Sequence, residues 1–234
     1  QALCALFAAS NLGEVTDIDT SPNGPIFDYD AHCSIMSLPH IFHCAGHHSI
    51  PSAVPYLAIP QHAVTHWQTR LAEYQGLKIG LIWAGNPKNE KDALRSLPLK
   101  TYAPLFDIPG LTFISLQKGL PATQIADTKL PLLDLMSDCH DMLDTGALIQ
   151  CLDLVISVDT SVAHLTGALA KPIWLLNRHE GEWRWAIDHE DSAWYPTMRI
   201  FNQCLPDTWE PTIARVARAL IEFAPTHSGQ RAGG

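Results

Sequence analysis

The sequence predicts an α/β chain dominated by a doubly wound parallel sheet, and three observations predict it. The apolar run at Leu154 to Val158 is continuous rather than alternating, and Lys78 to Trp83, Leu111 to Leu116 and Ile173 to Leu176 also read as strands. Strands covered on both faces have that pattern. Helical stretches separate the runs from Lys78 to Phe223, which makes right-handed parallel crossovers the economical topology. The strand ends are polar or glycine-rich, as they are where open α/β sheets bind ligands.

Composition narrows the function classes. The 234 residues are 47% hydrophobic and 17% charged, enough apolar material for a core and too little charge for a disordered chain. A net charge of −9 argues against nucleic-acid binding, which needs clustered Lys and Arg. Residues 1–69 contain no Lys or Arg, whereas five of the fifteen basic residues fall between Lys78 and Lys100. A local basic cluster in an acidic chain points to a small anionic ligand. Cys4, Cys33, Cys44, Cys139, Cys151 and Cys204 contain no C-x-x-C pair and read as reduced, buried thiols of a cytoplasmic protein. No signal peptide and no membrane-spanning run is visible. The chain, beginning at Gln1, reads as part of something longer.

Ala2 to Ala9 has the pattern of a short apolar helix, and Glu14 to Ile18 that of a strand. A turn-rich link, Asp19 to Pro25, follows. Phe27 to Cys33 reads as another strand leading into Ile35-Met36-Ser37-Leu38-Pro39. His40, His43, His47 and His48 surround Cys44 and raise the question of zinc. Their spacing lacks the paired ligands of a closed structural site, so a polar loop lining a cleft is expected. Pro51 to Pro60 reads as an extended linker. Residues 61–75 put Val64, Trp67 and Leu71 on one helical face.

The strand ending at Trp83 opens into Ala84-Gly85-Asn86-Pro87 and a loop carrying Lys88, Lys91 and Arg95 before Ser96. Gly85 permits close backbone approach, and Lys and Arg can screen a diphosphate. Because the loop begins at a strand end, phosphate contact is favoured over a solvated basic loop. Leu99 to Phe106 reads as a short helix. Gln117-Lys118-Gly119 tops the next strand; Lys118 suits either a ligand contact or a surface turn. Residues 120–140 look loop-like, with a short strand at Leu130 to Leu133. Asp141 to Gln150 reads as a helix capped by Asp144 or Thr145 and packed through Ala147, Leu148 and Cys151.

The stretch from Leu154 to Leu176 organises the rest. After the buried strand, Asp159 and Thr160 offer side-chain oxygens to the orphan amides of a new helix. That helix start favours an anion, and His164 lies one turn in. Ala163, Gly167 and Ala170 let the helix sit close on the sheet, and Pro172 stops it. Trp183-Arg184-Trp185 suits either a stacking wall for a sugar or base or a structural plug between domains. Met198 to Gln203 is a last strand, and Trp209 to Phe223 an amphipathic helix with Ile213, Val216, Leu220 and Phe223 inward. Pro225 to Gly234 reads as a disordered tail. No helical-pair repeats are visible.

Asp159-Thr160-Ser161-Val162-Ala163-His164-Leu165, followed by Ala168-Leu169 and Lys171-Pro172, resembles the nucleotide-sugar motif of heptosyltransferase-like (family nine) glycosyltransferases of bacteria. The chain is more similar still to the glycosyltransferase domain that follows tetratricopeptide repeats. Further matching stretches are Met36 to Pro39, Val54 to Leu57, Gly80 to Pro87, Ser115 to Gly119 and Trp194 to Met198. The resemblance spans most of the chain in order.

The resemblance implies a GT-B fold. Residues 1–60 would be the tail of the N-terminal, acceptor-side domain and a linker, residues 61–224 the C-terminal nucleotide-sugar-binding domain, and residues 225–234 the tail. It implies transfer of a sugar from a nucleotide-diphosphate sugar to an acceptor hydroxyl without a metal or other cofactor. Gly85, Asn86, Lys88, Arg95, Ser96, Gln117, Lys118, Asp159, Thr160, Ser161 and His164 are the expected donor contacts. Arg95 and His164 would stabilise the leaving group. Trp183, Arg184 and Trp185 are expected on the acceptor side, with a glycan, lipid-linked sugar or protein as acceptor. The acidic loop that usually supplies the general base would lie upstream of Gln1, as would any tetratricopeptide repeats. The alternative is a non-catalytic nucleotide-sugar-binding module. A dinucleotide oxidoreductase and a hydrolase are disfavoured, because neither G-x-G-x-x-G after a strand nor G-x-S-x-G is present.

Overall fold

Six strands form a wholly parallel sheet: β1 (Leu77–Ile82), β2 (Leu111–Ser115), β3 (Leu132–Asp134), β4 (Leu154–Val158), β5 (Ile173–Asn177) and β6 (Met198–Asn202). Their spatial order is β3-β2-β1-β4-β5-β6. The structure, a computed structural model, describes residues 2–12, 33–44, 46, 49–185 and 189–228. The expected strands at Glu14 to Ile18 and Phe27 to Cys33, and the turn-rich link, fall wholly or almost wholly outside those residues. The sheet is the α/β, Rossmann-like arrangement that the apolar runs predict.

The central strands are buried throughout because helices cover both faces. β1, β4 and β5 have no exposed residue. The register pairs Ile79 with Leu154 and Ile82 with Ser157, so β1 and β4 end level with each other. Gly80 is needed in β1, since a Cβ there would meet Leu116 and Leu152 side chains at 2.8 Å.

The helices are α1 (Cys4–Ala9), α2 (Leu38–Ile41), α3 (Gln61–Leu71), α4 (Asp92–Arg95), α5 (Ala103–Phe106), α6 (Gln124–Thr128), α7 (Met142–Gln150), α8 (Ser161–Ala168) and α9 (Glu210–Ser228). α7 packs against α1, α3 and α8, while α9 packs against α5, β1 and β6. Trp67 and Leu71 are buried on α3 as their spacing predicts; on α9, Ile213, Val216 and Leu220 are buried. α9 continues to Ser228, so the first four residues of the expected tail are helical; residues 229–234 are outside the described residues.

The opening segment joins the same core. Leu6 and Leu57 belong to the buried cluster around the sheet. Met142 donates its amide to the Ala2 carbonyl, and Tyr56 its amide to Ala168. Residues 51–60 are irregular, yet tied down by these contacts. Residues 35–41 are helical turns rather than extended chain.

Two caps differ from expectation. Asp141 caps α7 by accepting from Asp144 N at 2.9 Å, and the Asp144 carboxylate accepts from His140 N. α8 ends before Pro172. Ala170 adopts the left-handed conformation, φ +57°, while Lys171 N reaches Thr166 O and Ala170 N reaches Gly167 O. That pair of bonds satisfies the last carbonyls of the helix. Among the cysteines, Cys139 is buried, whereas Cys33 and Cys204 are exposed and the others lie between.

Candidate functional site

β1 and its crossover to β2 run one way across the sheet, and β3 crosses back to β4 on the other side of β1. The reversal opens a crevice at the carboxyl ends of β1 and β4. A cavity of about 800 Å³ lies there, lined by residues following β1, β2 and β4 together with Met136 to Thr145 and Arg184.

The loop after β1 is held by one buried carboxylate. Asp92, at the start of α4, is 7% exposed. Its Oδ1 accepts from Arg95 Nε at 3.1 Å and its Oδ2 from Ser96 Oγ at 3.0 Å. Ser96 Oγ in turn accepts from the Gly85 amide at 3.0 Å. The spacing of three and four residues puts Arg95 and Ser96 on the same side of the turn as Asp92. Arg95 is thereby aimed across the crevice, and its Nη1 donates to the Asp159 carbonyl at 2.7 Å. Gly85 must lack a side chain, because a Cβ would collide with Asp92 Oδ1 and the Arg95 guanidinium.

The corner after β4 presents the first turn of α8. Thr160 occupies the N-cap position with extended backbone, but its side chain does not cap the helix. Its hydroxyl lies 3.2 Å from Ser157 Oγ instead. This corrects the expected cap. No side chain among the described residues caps the Ser161 and Val162 amides, and both residues line the cavity. Free amides at a helix start make a partial positive site.

His164 stands over this corner. Its Nε2 is 3.8 Å from Asp159 Oδ1, and its Nδ1 is 3.0 Å from Tyr195 Oη. Trp185 stacks beneath the imidazole, with ring centroids 5.2 Å apart and planes at 27°. Burial pushes the imidazole below its ordinary pKa; Asp159 opposes that shift, Arg184 adds to it and Glu182 opposes it. Burial, reinforced by Tyr56, pushes the Tyr195 phenol up, so it keeps its proton.

The structure sorts the expected donor contacts. Gly85, Asn86, Arg95, Gln117, Lys118, Asp159, Thr160, Ser161 and His164 all line the cavity. Within that set, Gln117 is committed to the fold: its Oε1 accepts from the Trp83 and Ala84 amides, and its Nε2 donates to Lys118 O. Lys118 Nζ donates to the Cys139 carbonyl. Asn86 forms a side-chain turn by accepting from Lys88 N at 3.0 Å. Lys88 and Ser96 do not line the cavity. Lys88 is exposed, while Ser96 acts from behind Gly85.

The Trp183-Arg184-Trp185 segment does not form one stacking wall. Trp185 is 1% exposed and faces His164, whereas Trp183 is 66% exposed. Arg184 alone of the three lines the cavity. Its guanidinium bonds Glu182 at 2.9 Å and lies 5.2 Å from the Trp183 ring.

Sequence reasoning missed Asp92, Met136 and His140; Tyr195 figures in it only within the matching stretch Trp194 to Met198, and for the stretch holding Met142 and Thr145 the resemblance implies a nucleobase pocket without naming a residue. Asp92 left a signal in its spacing to Arg95 and Ser96. Tyr195 left no sign of its contact with His164, because only the fold brings it onto α8. Among the described residues, no group of three or more metal-capable side chains is assembled; His47 and His48 lie outside them.

No family model matches the chain. The chain is similar to Protein FlbA of Caulobacter vibrioides, with 34% identity over 172 residues and 69% of this chain covered. It spans 28% of that protein's length.

Proposed function

We propose that this chain is the donor-binding half of a GT-B glycosyltransferase that uses a nucleotide-diphosphate sugar. The observation that carries the reading is the meeting of the Arg95 guanidinium and the α8 start across the β1–β4 crevice. One supplies a fixed cation and the other free amides, which together suit a pyrophosphate. The Asp159 carboxylate accepts but cannot donate, and it would repel a phosphate; it suits the hydroxyls of the donor sugar. The apolar far wall, with Met136, Met142 and Leu116, suits the flat face of a nucleobase.

In this reading the reaction breaks the bond between the anomeric carbon and the diphosphate oxygen. Arg95 and the Ser161 and Val162 amides stabilise the negative charge left on that oxygen. The acceptor hydroxyl gives up its proton to a base as the new bond to the anomeric carbon forms.

Calorimetry with UDP, GDP and ADP tests the proposal. The chain is expected to bind at least one of them. Arg95→Ala is expected to weaken that binding by about tenfold or more while leaving the fold intact. Wild-type affinity in Arg95→Ala, or no binding by the wild type, would refute it.

A further inference from the structure

We infer that Tyr195 is a positioning residue that fixes which nitrogen of His164 carries the proton toward the crevice. This rests on the diphosphate reading and adds a side chain that does not itself line the cavity. The two ring nitrogens of His164 meet different partners. Nδ1 is 3.0 Å from the Tyr195 hydroxyl, and Nε2 faces the Asp159 corner at 3.8 Å from the carboxylate. Trp185 stacked below and the Tyr195 ring set edge-on at 65° hold the imidazole in that orientation.

A missing side chain sets the hydroxyl's position. His164 and Gly167 are three residues apart on α8 and share a face. A Cβ at Gly167 would occupy the place of the Tyr195 ring. The spacing of small residues predicts helix–sheet contact for Gly167; its neighbour is the tyrosine. Tyr195 is 6% exposed, and its hydroxyl lies 3.5 Å from that of Tyr56.

A neutral imidazole has one donor nitrogen and one acceptor nitrogen. His164 Nδ1 at 3.0 Å is the nearer of the Tyr195 hydroxyl's two partners, Tyr56 Oη lying at 3.5 Å; with that single proton given to Nδ1, the imidazole proton sits on Nε2. An N–H then points toward the Asp159 carboxylate, on the cavity wall that Ser161 and Val162 also line, and it offsets part of that carboxylate's charge against an entering anion. The opposite tautomer would present a lone pair there and leave that charge unopposed. The charged and titratable groups facing His164 are Asp159, Glu182, Arg184 and Tyr195, with Tyr56 behind the last.

The test separates this inference from the reading beneath it. Tyr195→Phe keeps the ring beside Gly167 and removes the hydroxyl; Tyr56→Phe removes the outer hydroxyl. Long-range proton–nitrogen correlation spectra of histidine-labelled protein report the tautomer without ligand, the His164 signal being assigned by its loss in His164→Gln. The expected result is the Nε2–H form in wild type and Tyr56→Phe, and a tautomer mixture in Tyr195→Phe. An Nδ1–H form in wild type, or an unchanged spectrum in Tyr195→Phe, overturns the inference. Pyrophosphate binding at about pH 8, where His164 is neutral, is expected to weaken about fivefold in Tyr195→Phe. Equal affinity of the two proteins overturns the inference as well. A wild type that binds no pyrophosphate yet shows the tautomer change refutes the diphosphate reading and upholds Tyr195's control of His164.

Discussion

The Arg95 guanidinium spans the crevice to the Asp159 carbonyl at 2.7 Å, joining the loop after β1 to the loop after β4. Two of its three nitrogens are committed, Nε to Asp92 and Nη1 to Asp159. Among the described residues, Nη2 makes no hydrogen bond and lies over Gly85, so in the proposed diphosphate reading it is the nitrogen left for the ligand. A long flexible side chain is thereby held ready, so binding costs little of its rotamer entropy.

Asp92→Asn tests that arrangement. The amide keeps the shape but loses the charge facing Arg95 and one acceptor oxygen. Breaking charge-assisted bonds to a buried carboxylate costs about 2 kcal/mol, to be read from urea unfolding. Nucleoside diphosphate affinity should fall too, because Arg95 is no longer held. Unchanged affinity would mean that Asp92 serves the fold alone.

Gly85→Ala puts a methyl group where Asp92 Oδ1 and the guanidinium now sit. Overpacking of this kind costs about 1–3 kcal/mol, and here it also moves Arg95. The expected result is lower stability together with loss of diphosphate binding. Normal binding by the Gly85→Ala protein would show that the loop relaxes without disturbing Arg95.

How much of this was legible in the sequence depends on distance along the chain. The strands were readable because burial on both faces leaves short runs dominated by apolar residues at 78–83, 111–116 and 154–158. Arg95 and the Asp159 corner were readable because each follows a strand end. Gln117 was readable only in part: a polar residue at such an end looks like a ligand contact, and it does line the cavity, but that its side chain also satisfies the amides of Trp83 and Ala84 leaves no mark in the sequence. Trp183 and Trp185 are two residues apart, yet one is exposed and the other buried. Composition did not distinguish them; the course of the backbone between β5 and β6 did. Tyr195, 31 residues from His164, becomes its neighbour only through the fold.

Ala170 holds a left-handed conformation, φ +57°, at the position where helices usually end in glycine. An L side chain there costs about 1–2 kcal/mol, whereas glycine adds entropy to the unfolded chain worth about 0.4–1 kcal/mol. Ala170→Gly should therefore stabilise the protein by about 0.5–1 kcal/mol. Urea midpoints measure this directly. A destabilised variant would show that the methyl group's packing outweighs the strain.

The pH dependence of stability tests the burial of His164. Burial holds its pKa below the ordinary imidazole value, so the folded chain binds its proton later than the unfolded chain as pH falls. Below about pH 6.5 the unfolded state takes up that proton first. Stability is fully present above that pH and is lost as pH falls through the lower folded-state value. The slope due to this one group is at most about 1.4 kcal/mol per pH unit. His164→Gln removes it, so the variant's stability should fall less steeply than the wild type's over this interval. A bound diphosphate reverses the sign, because an anion beside the ring favours imidazolium. Binding should then take up a proton as pH falls through the imidazole range, seen as a calorimetric enthalpy that varies with the buffer's ionisation heat, and more strongly in wild type than in His164→Gln. Parallel stability slopes in the two proteins would contradict the burial of His164, and equal proton uptake would separate it from the anion.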